Sequence, residues 1–148
     1  MKTPIIKHLT APRLMSTAAQ LSLQGKLAIS ANNLVYLDID NNYIHHLYPL
    51  LGLPQVVLPN YFNQDGIGAH ISVIYPEELH SVSVQELGNT YQFSIQELVS
   101  AQFEHKIYYV LLVKSAELLE LRRRYHFKDY LNFKGYKIDF HITIGKSL

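Results

Sequence analysis

Two stretches of the chain repeat one short pattern. The first is His70-Ile71-Ser72-Val73 and the second is His141-Ile142-Thr143-Ile144. In a β-strand, residues i and i+2 share a face. Each stretch therefore sets an imidazole beside a hydroxyl on one side and turns two aliphatic side chains to the other, toward a core. Hydroxyls donate to phosphate oxygens, and two imidazoles can divide the work of general base and general acid. A free imidazole titrates near ~6.5, so neutral and protonated rings coexist close to neutral pH. At this composition roughly 2% of histidines would carry the pattern by chance, and the chain has only eight. One copy is what any strand with a polar face can carry. Two copies on strongly β-forming runs point to shared chemistry. A third match, His8-Leu9-Thr10-Ala11, is set aside because Pro4 and Pro12 hem it in and no β-branched run surrounds it.

The elements that must position these residues follow from the text around them. Residues 34–39 read as a strand, and Asp40 can cap a helix running to about Tyr48. Pro49 removes a backbone donor and stops or kinks that helix. Gly52, Pro54 and Pro59 make the next segment a loop, and Asn63-Gln64-Asp65-Gly66 is a turn. Residues 67–75 form a strand ended by Pro76, with a surface turn at 77–80. Strands are expected over 81–87, 91–98 and 106–113, the last of them central. Ser115 caps a helix from Ala116 to about Phe127, with Leu118, Leu121 and Tyr125 on its apolar face and Arg122, Arg123 and Arg124 as a solvated cationic end. Gly135 marks a turn before a final strand over 136–144. The first thirty residues predict either a helix over 13–23, ended by Gly25, or a docked irregular arm. The order gives an α+β fold with mostly antiparallel pairing.

Composition narrows the chemistry further. A chain of 148 residues with 48% hydrophobic and 17% charged residues fits one domain spanning 1–148 and excludes disorder as its main state. The absence of cysteine removes disulfide scaffolds, thiolate zinc sites, iron–sulfur clusters and cysteine nucleophiles together. A net charge of +1 gives no broad basic field for nucleic acid. No phosphate-loop, dinucleotide or serine-hydrolase motif occurs. His45 and His46 would point about 100° apart on a helix, and His80, His105 and His126 fall in turns or helix ends, so no metal-ligand spacing is present. The N-terminus lacks a secretory pattern and no segment is long and apolar enough to span a bilayer, which leads to an expected cytoplasmic location without membrane association.

The paired motifs resemble those of the two-histidine (2H) phosphoesterase superfamily, whose LigT-like members act on RNA 2′,3′-cyclic phosphates. The first motif continues as His70-Ile71-Ser72-Val73-Ile74-Tyr75, with Tyr75 where the family often has an aromatic residue. The second stands as Phe140-His141-Ile142-Thr143-Ile144-Gly145-Lys146, close to the family's His-Ile-Thr-Leu-Gly-Arg ending. Ser72 replaces the commoner Thr and Lys146 the commoner Arg. The resemblance runs from about Leu34 to Lys146, and the segment up to Ser30 has no counterpart in it.

The resemblance implies a bilobal α+β fold, with two antiparallel sheets in pseudo-twofold symmetry around a central cleft and helices outside. It implies a cyclic phosphodiesterase-like hydrolase acting on a nucleotide or RNA end that carries a phosphodiester. His70 and His141 would be the catalytic pair, one activating water and the other protonating the departing ribose oxygen. Ser72 and Thr143 would hold the non-bridging oxygens. The scheme requires no metal or other cofactor, and the working form is read as a monomer. Two neighbours join the site as substrate-binding candidates. Tyr75, of opposite parity to His70 but at the strand end, could stack on a base, and Lys137, of the same parity as His141, could contact phosphate. Asp139 either orients an imidazole or faces solvent. Two rivals remain: a non-catalytic binder of phosphorylated nucleotides or RNA ends using the same cleft, and a metal-dependent hydrolase with His70 and His141 as ligands.

Overall fold

The structure, a computed structural model, describes residues 1–63, 66–80 and 82–148. In chain order the elements are β1 (Ile5–His8), α1 (Pro12–Ala18), β2 (Gln24–Ile29), β3 (Val35–Asp38), α2 (Asn42–His45), α3 (Tyr48–Leu51), β4 (Val56–Val57), β5 (His70–Ile74) and α4 (Pro76–Leu79). They continue as β6 (Thr90–Gln92), β7 (Ser94–Phe103), β8 (Lys106–Lys114), α5 (Ala116–Arg124), β9 (Leu131–Phe133), β10 (Tyr136–Ile138) and β11 (His141–Ser147). The fold is α+β as expected, and its strand ladders are antiparallel. Among the described residues, no helix is long and apolar enough to cross a membrane.

The strands run in the order β1-β7-β8-β11-β5-β3-β2-β6, with β4 also on β11 and β9–β10 as a separate hairpin. Two four-strand blocks thus meet along β11 and β5, the strands that carry the histidine motifs. Their ladder is the single pair Ile142↔Ile71. The aliphatic motif positions Ile71, Val73, Ile142 and Ile144 are completely buried. Burial of this kind contributes roughly 1.5–3 kcal/mol per side chain, so the hydrophobic effect fixes which face the imidazoles occupy. A one-residue slip would reverse that choice.

Several elements depart from the sequence expectation for identifiable reasons. The early helix ends at Ala18, and Gly25 lies inside β2. A Cβ at Gly25 would stand 2.3 Å from the Asp38 carbonyl oxygen, so this glycine permits close strand approach and does not end a helix. Asp40 does accept from the Asn42 amide at 2.9 Å, yet the helix it opens is short. Pro49 lies in the first turn of a second one, α3, where its missing N–H is not needed. The surface turn after Pro76 is the short helix α4. The strand expected at 81–87 does not form: Ser81 lies outside the described residues, and the Gln85 amide donates to the Tyr125 hydroxyl while Glu86 binds Arg124 and Tyr125. In the turn proposed at 63–66, Gln64 and Asp65 also lie outside the described residues. The final strand splits at Asp139–Phe140 into β10 and β11, because Phe140 is buried and its carbonyl accepts from Val113 at 3.0 Å.

The arginine run is the largest correction. Arg123 and Arg124 are exposed and pair with Asp129 and Glu86. Arg122, however, is fully buried. Its Nε donates to Lys128 O at 2.9 Å, its two terminal nitrogens to Val73 O and Tyr130 O at 2.8 and 2.6 Å, and both also reach the Glu78 carboxylate at 3.1 and 2.8 Å. All five guanidinium N–H groups are therefore used. A planar fork can do this where an ammonium cannot, and it ties α5 to α4 and to the middle of the first motif strand.

Candidate active site

The aliphatic halves of both motifs enter the core, so the polar halves emerge together on the opposite face of the sheet. Antiparallel register around Ile142↔Ile71 sets His141 beside Ser72 and Thr143 beside His70. All six residues expected from the sequence, His70, Ser72, Tyr75, Lys137, His141 and Thr143, line one cavity of about 470 Å³. That volume suits a ligand of drug or mononucleotide size, for which pockets run ~300–1,000 Å³.

Each imidazole is held in the same way. His70 Nδ1 lies 2.8 Å from Gly68 O, and His141 Nδ1 lies 2.8 Å from Asp139 O. A carbonyl only accepts, so Nδ1 carries the hydrogen in both rings, and Nε2 is left with a lone pair when the ring is neutral. Thus Asp139 orients its imidazole through the main chain. Gly68 is held in turn: it has φ +73, where L residues are strained, and an added Cβ would lie 2.4 Å from Asn41 Oδ1. That same Oδ1 accepts from the Ala69 amide at 3.0 Å. The rings of Tyr61 and Tyr36 stand edge-on to His70, with centroids at 4.7 and 5.8 Å.

Enclosure by these groups shifts both titrations. Desolvation lowers the His70 pKa to about 4, against the opposing Gly68 hydrogen bond and with a further lowering from His141. Desolvation also lowers His141, but its carbonyl contact and the nearby Asp139 carboxylate pull the other way. Both rings are therefore neutral in the free protein at pH 7, and His141 is the one with a carboxylate, that of Asp139, partly offsetting the desolvation.

The hydroxyls form a second matched set. Ser72 and Thr143 are buried. The Tyr75 phenol lies close enough to Ser72, and the Tyr61 phenol close enough to Thr143, for each titration to respond to the neighbouring hydroxyl. Burial raises the pKa of both phenols, so they remain protonated donors at neutral pH. The cavity is thus lined by four neutral hydroxyl residues together with the two imidazoles. An anion placed among them would exchange water for preorganised donors. Tyr75 packs against Phe133 at a centroid distance of 5.3 Å, so its hydroxyl faces the motif while its ring joins an aromatic wall. Tyr61 was not singled out by the sequence. It follows Pro59 in a loop without periodicity, one of eleven tyrosines, and no local signal marks it.

Lys137 lies farther out. It is exposed, and its Nζ sits 4.6 Å from the centroid of the Tyr130 ring. The third motif match is placed elsewhere: His8 is on the edge strand β1, with its Nδ1 2.8 Å from Glu97. Among the described residues no group of three or more His, Asp or Glu comes close enough to hold a metal ion.

Comparison with known proteins agrees with the geometry. A family model described as Swiss Army Knife, 2H phosphoesterase domain, matches residues 35–147. No curated protein and no solved structure matches the chain.

Proposed function

The chain belongs to the 2H phosphoesterase family, and we propose that within it the protein hydrolyses a 2′,3′-cyclic phosphate, or a related phosphodiester, of a nucleotide or RNA end. The observation that carries this reading is the pair of imidazoles on one cavity, each with Nδ1 committed to a carbonyl and Nε2 free. Ser72, Thr143, Tyr61 and Tyr75 would hold the non-bridging oxygens of the bound diester. His70, held well below the ordinary imidazole range, is the base: its Nε2 takes a proton from water as the water oxygen bonds to phosphorus. His141, beside the Asp139 carboxylate, is the acid. The negative charge of the diester raises its pKa, and its Nε2–H passes a proton to the ribose oxygen as the P–O bond breaks. The product is a monoester, and solvent exchange resets both rings. No step in this scheme calls on a metal.

The test is turnover of adenosine 2′,3′-cyclic monophosphate in the presence of a chelator. His70→Ala and His141→Ala should each lower kcat by ~10²–10⁴. With a 4-nitrophenyl phosphodiester, whose leaving group needs no proton, the His141→Ala deficit should shrink while the His70→Ala deficit persists. Near-native rates in either variant on the cyclic nucleotide refute the pair. Loss of activity on chelation favours the metal-ligand rival. Tight product binding with no turnover favours the binder.

A further inference from the structure

The family match begins at residue 35, yet Thr3, Pro4 and Ile6 line the cavity. The arm that carries them is tied down on both sides. Lys2 donates its amide to Gly135 O at 3.2 Å and accepts from the Lys137 amide at 2.7 Å, which fixes it to the β9–β10 hairpin. Ile5–His8 pairs with β7 in register Ile6↔Ala101. Thr3 and Pro4 therefore bridge hairpin and sheet edge as a fixed wall.

The two ends of the cavity differ in chemistry. One holds the imidazoles and hydroxyls. The other, beneath the arm, is lined by Pro4, Ile6, Ala101, Phe103 and Phe133. Aromatic contacts connect the ends without a gap: Tyr75 to Phe133 at 5.3 Å, then Phe133 to Phe103 at 5.6 Å. Ile6 is 48% exposed, although an isoleucine at a cavity rim gains free energy once covered. Lys137, whose amide meets Lys2 O at the root of the arm, is the cavity's lysine, and Asp139 is its carboxylate; the residues named at the arm end are themselves uncharged.

We propose that the N-terminal arm Thr3–Ile6, with Phe103 and Phe133, forms a subsite for an aromatic group esterified to the phosphate, and that Ile6 is a specificity-determining residue. This rests on the phosphoesterase reading for the anion end. The arm lies outside the family-matched segment, so the N-terminus adds its own wall to aromatic residues that lie within that segment.

The test measures binding, which does not depend on turnover. Dissociation constants of phenyl phosphate and methyl phosphate are determined by calorimetry for the full chain and two variants. The wild type should bind phenyl phosphate at least tenfold more tightly than methyl phosphate. Ile6→Ser should reduce that ratio to about threefold or less. Ile5→Ser alters the same exposed strand but a residue absent from the cavity lining, and should leave the ratio at its wild-type value. Both substitutions fall on solvent-exposed edge positions, and a thermal melt of each verifies folding. A wild-type ratio near one overturns the proposal, as does an Ile6→Ser ratio equal to the wild type's or an equal fall in both variants. If the ratios behave as expected while the cyclic nucleotide is not hydrolysed, the catalytic reading fails and the subsite stands.

Discussion

Removing the Arg122 guanidinium is the perturbation whose cost the structure defines most closely. Arg122→Met keeps most of the apolar stem but deletes five hydrogen bonds. Glu78, whose side chain is only 10% exposed, would retain the Tyr75 and Asn132 amides at 3.0 and 3.3 Å and lose its cation. The carbonyls of Val73, Lys128 and Tyr130 would lose a donor as well. Breaking a buried pair from one side typically destabilises by ~3–5 kcal/mol, a large part of the ~5–15 kcal/mol that holds a domain together. At ~2–4 °C per kcal/mol for a chain of this size, the melting temperature should fall by about 6–20 °C. Urea unfolding should show a lower midpoint with an unchanged m-value. Arg122→Met combined with Glu78→Leu should recover much of the loss, because the stranded carboxylate is then gone. Val73 adjoins Ser72, so the single variant should also lose turnover. A loss under ~1 kcal/mol in Arg122→Met, or a double variant as unstable as the sum of the singles, would refute the reasoning.

Three further outcomes follow from the same geometry. The folded-state pKa of His70 lies below its unfolded value of 6.5, at about 4, so the unfolded chain binds the proton first. Stability should therefore drop as pH falls from about 6.5 toward about 4, by roughly 2–3 kcal/mol between pH 7 and 4.5, and urea titrations of His70→Asn should show a smaller drop. The pH profile of kcat/KM should be bell-shaped, with its acid limb near His70's value and its alkaline limb below 6.5. It reports the coupled pair, and a single sigmoid would count against a two-ring mechanism. Gly68→Ala, strained at positive φ and crowding Asn41, should misdirect the carbonyl that orients His70 and lower kcat more than tenfold, with the acid limb displaced. A variant with an unmoved pH profile would show that Gly68 has only a packing role.

The motif strands were legible because their signal is local. Alternation across His70–Val73 and His141–Ile144 fixes a buried face and hence an exposed one, and a hydroxyl two residues from each imidazole specifies the rest. The Ser115 cap and the following helix were readable on the same terms, and Ser115 Oγ accepts from Leu118 at 3.2 Å. What escaped depends on tertiary partners. β1 carries no apolar alternation, and β2 exists because β3 and β6 flank it. Arg122 looked like its exposed neighbours until the geometry placed five acceptors around it. Tyr61 enters the site from a proline-broken loop, where only the fold determines where a side chain points.

The central claim is that two neutral rings, each hydrogen-bonded through Nδ1, take up one proton between them when an anion enters. The most direct measurement is ¹⁵N NMR of the histidine side chains at pH 7, before and after addition of adenosine 2′-monophosphate as the bound anion. The account predicts that His70 and His141 begin as neutral Nδ1–H tautomers and that one of them, His141, becomes imidazolium in the complex. Rings that already carry charge in the free protein, that hold hydrogen on Nε2, or that both stay neutral with the anion bound would contradict it.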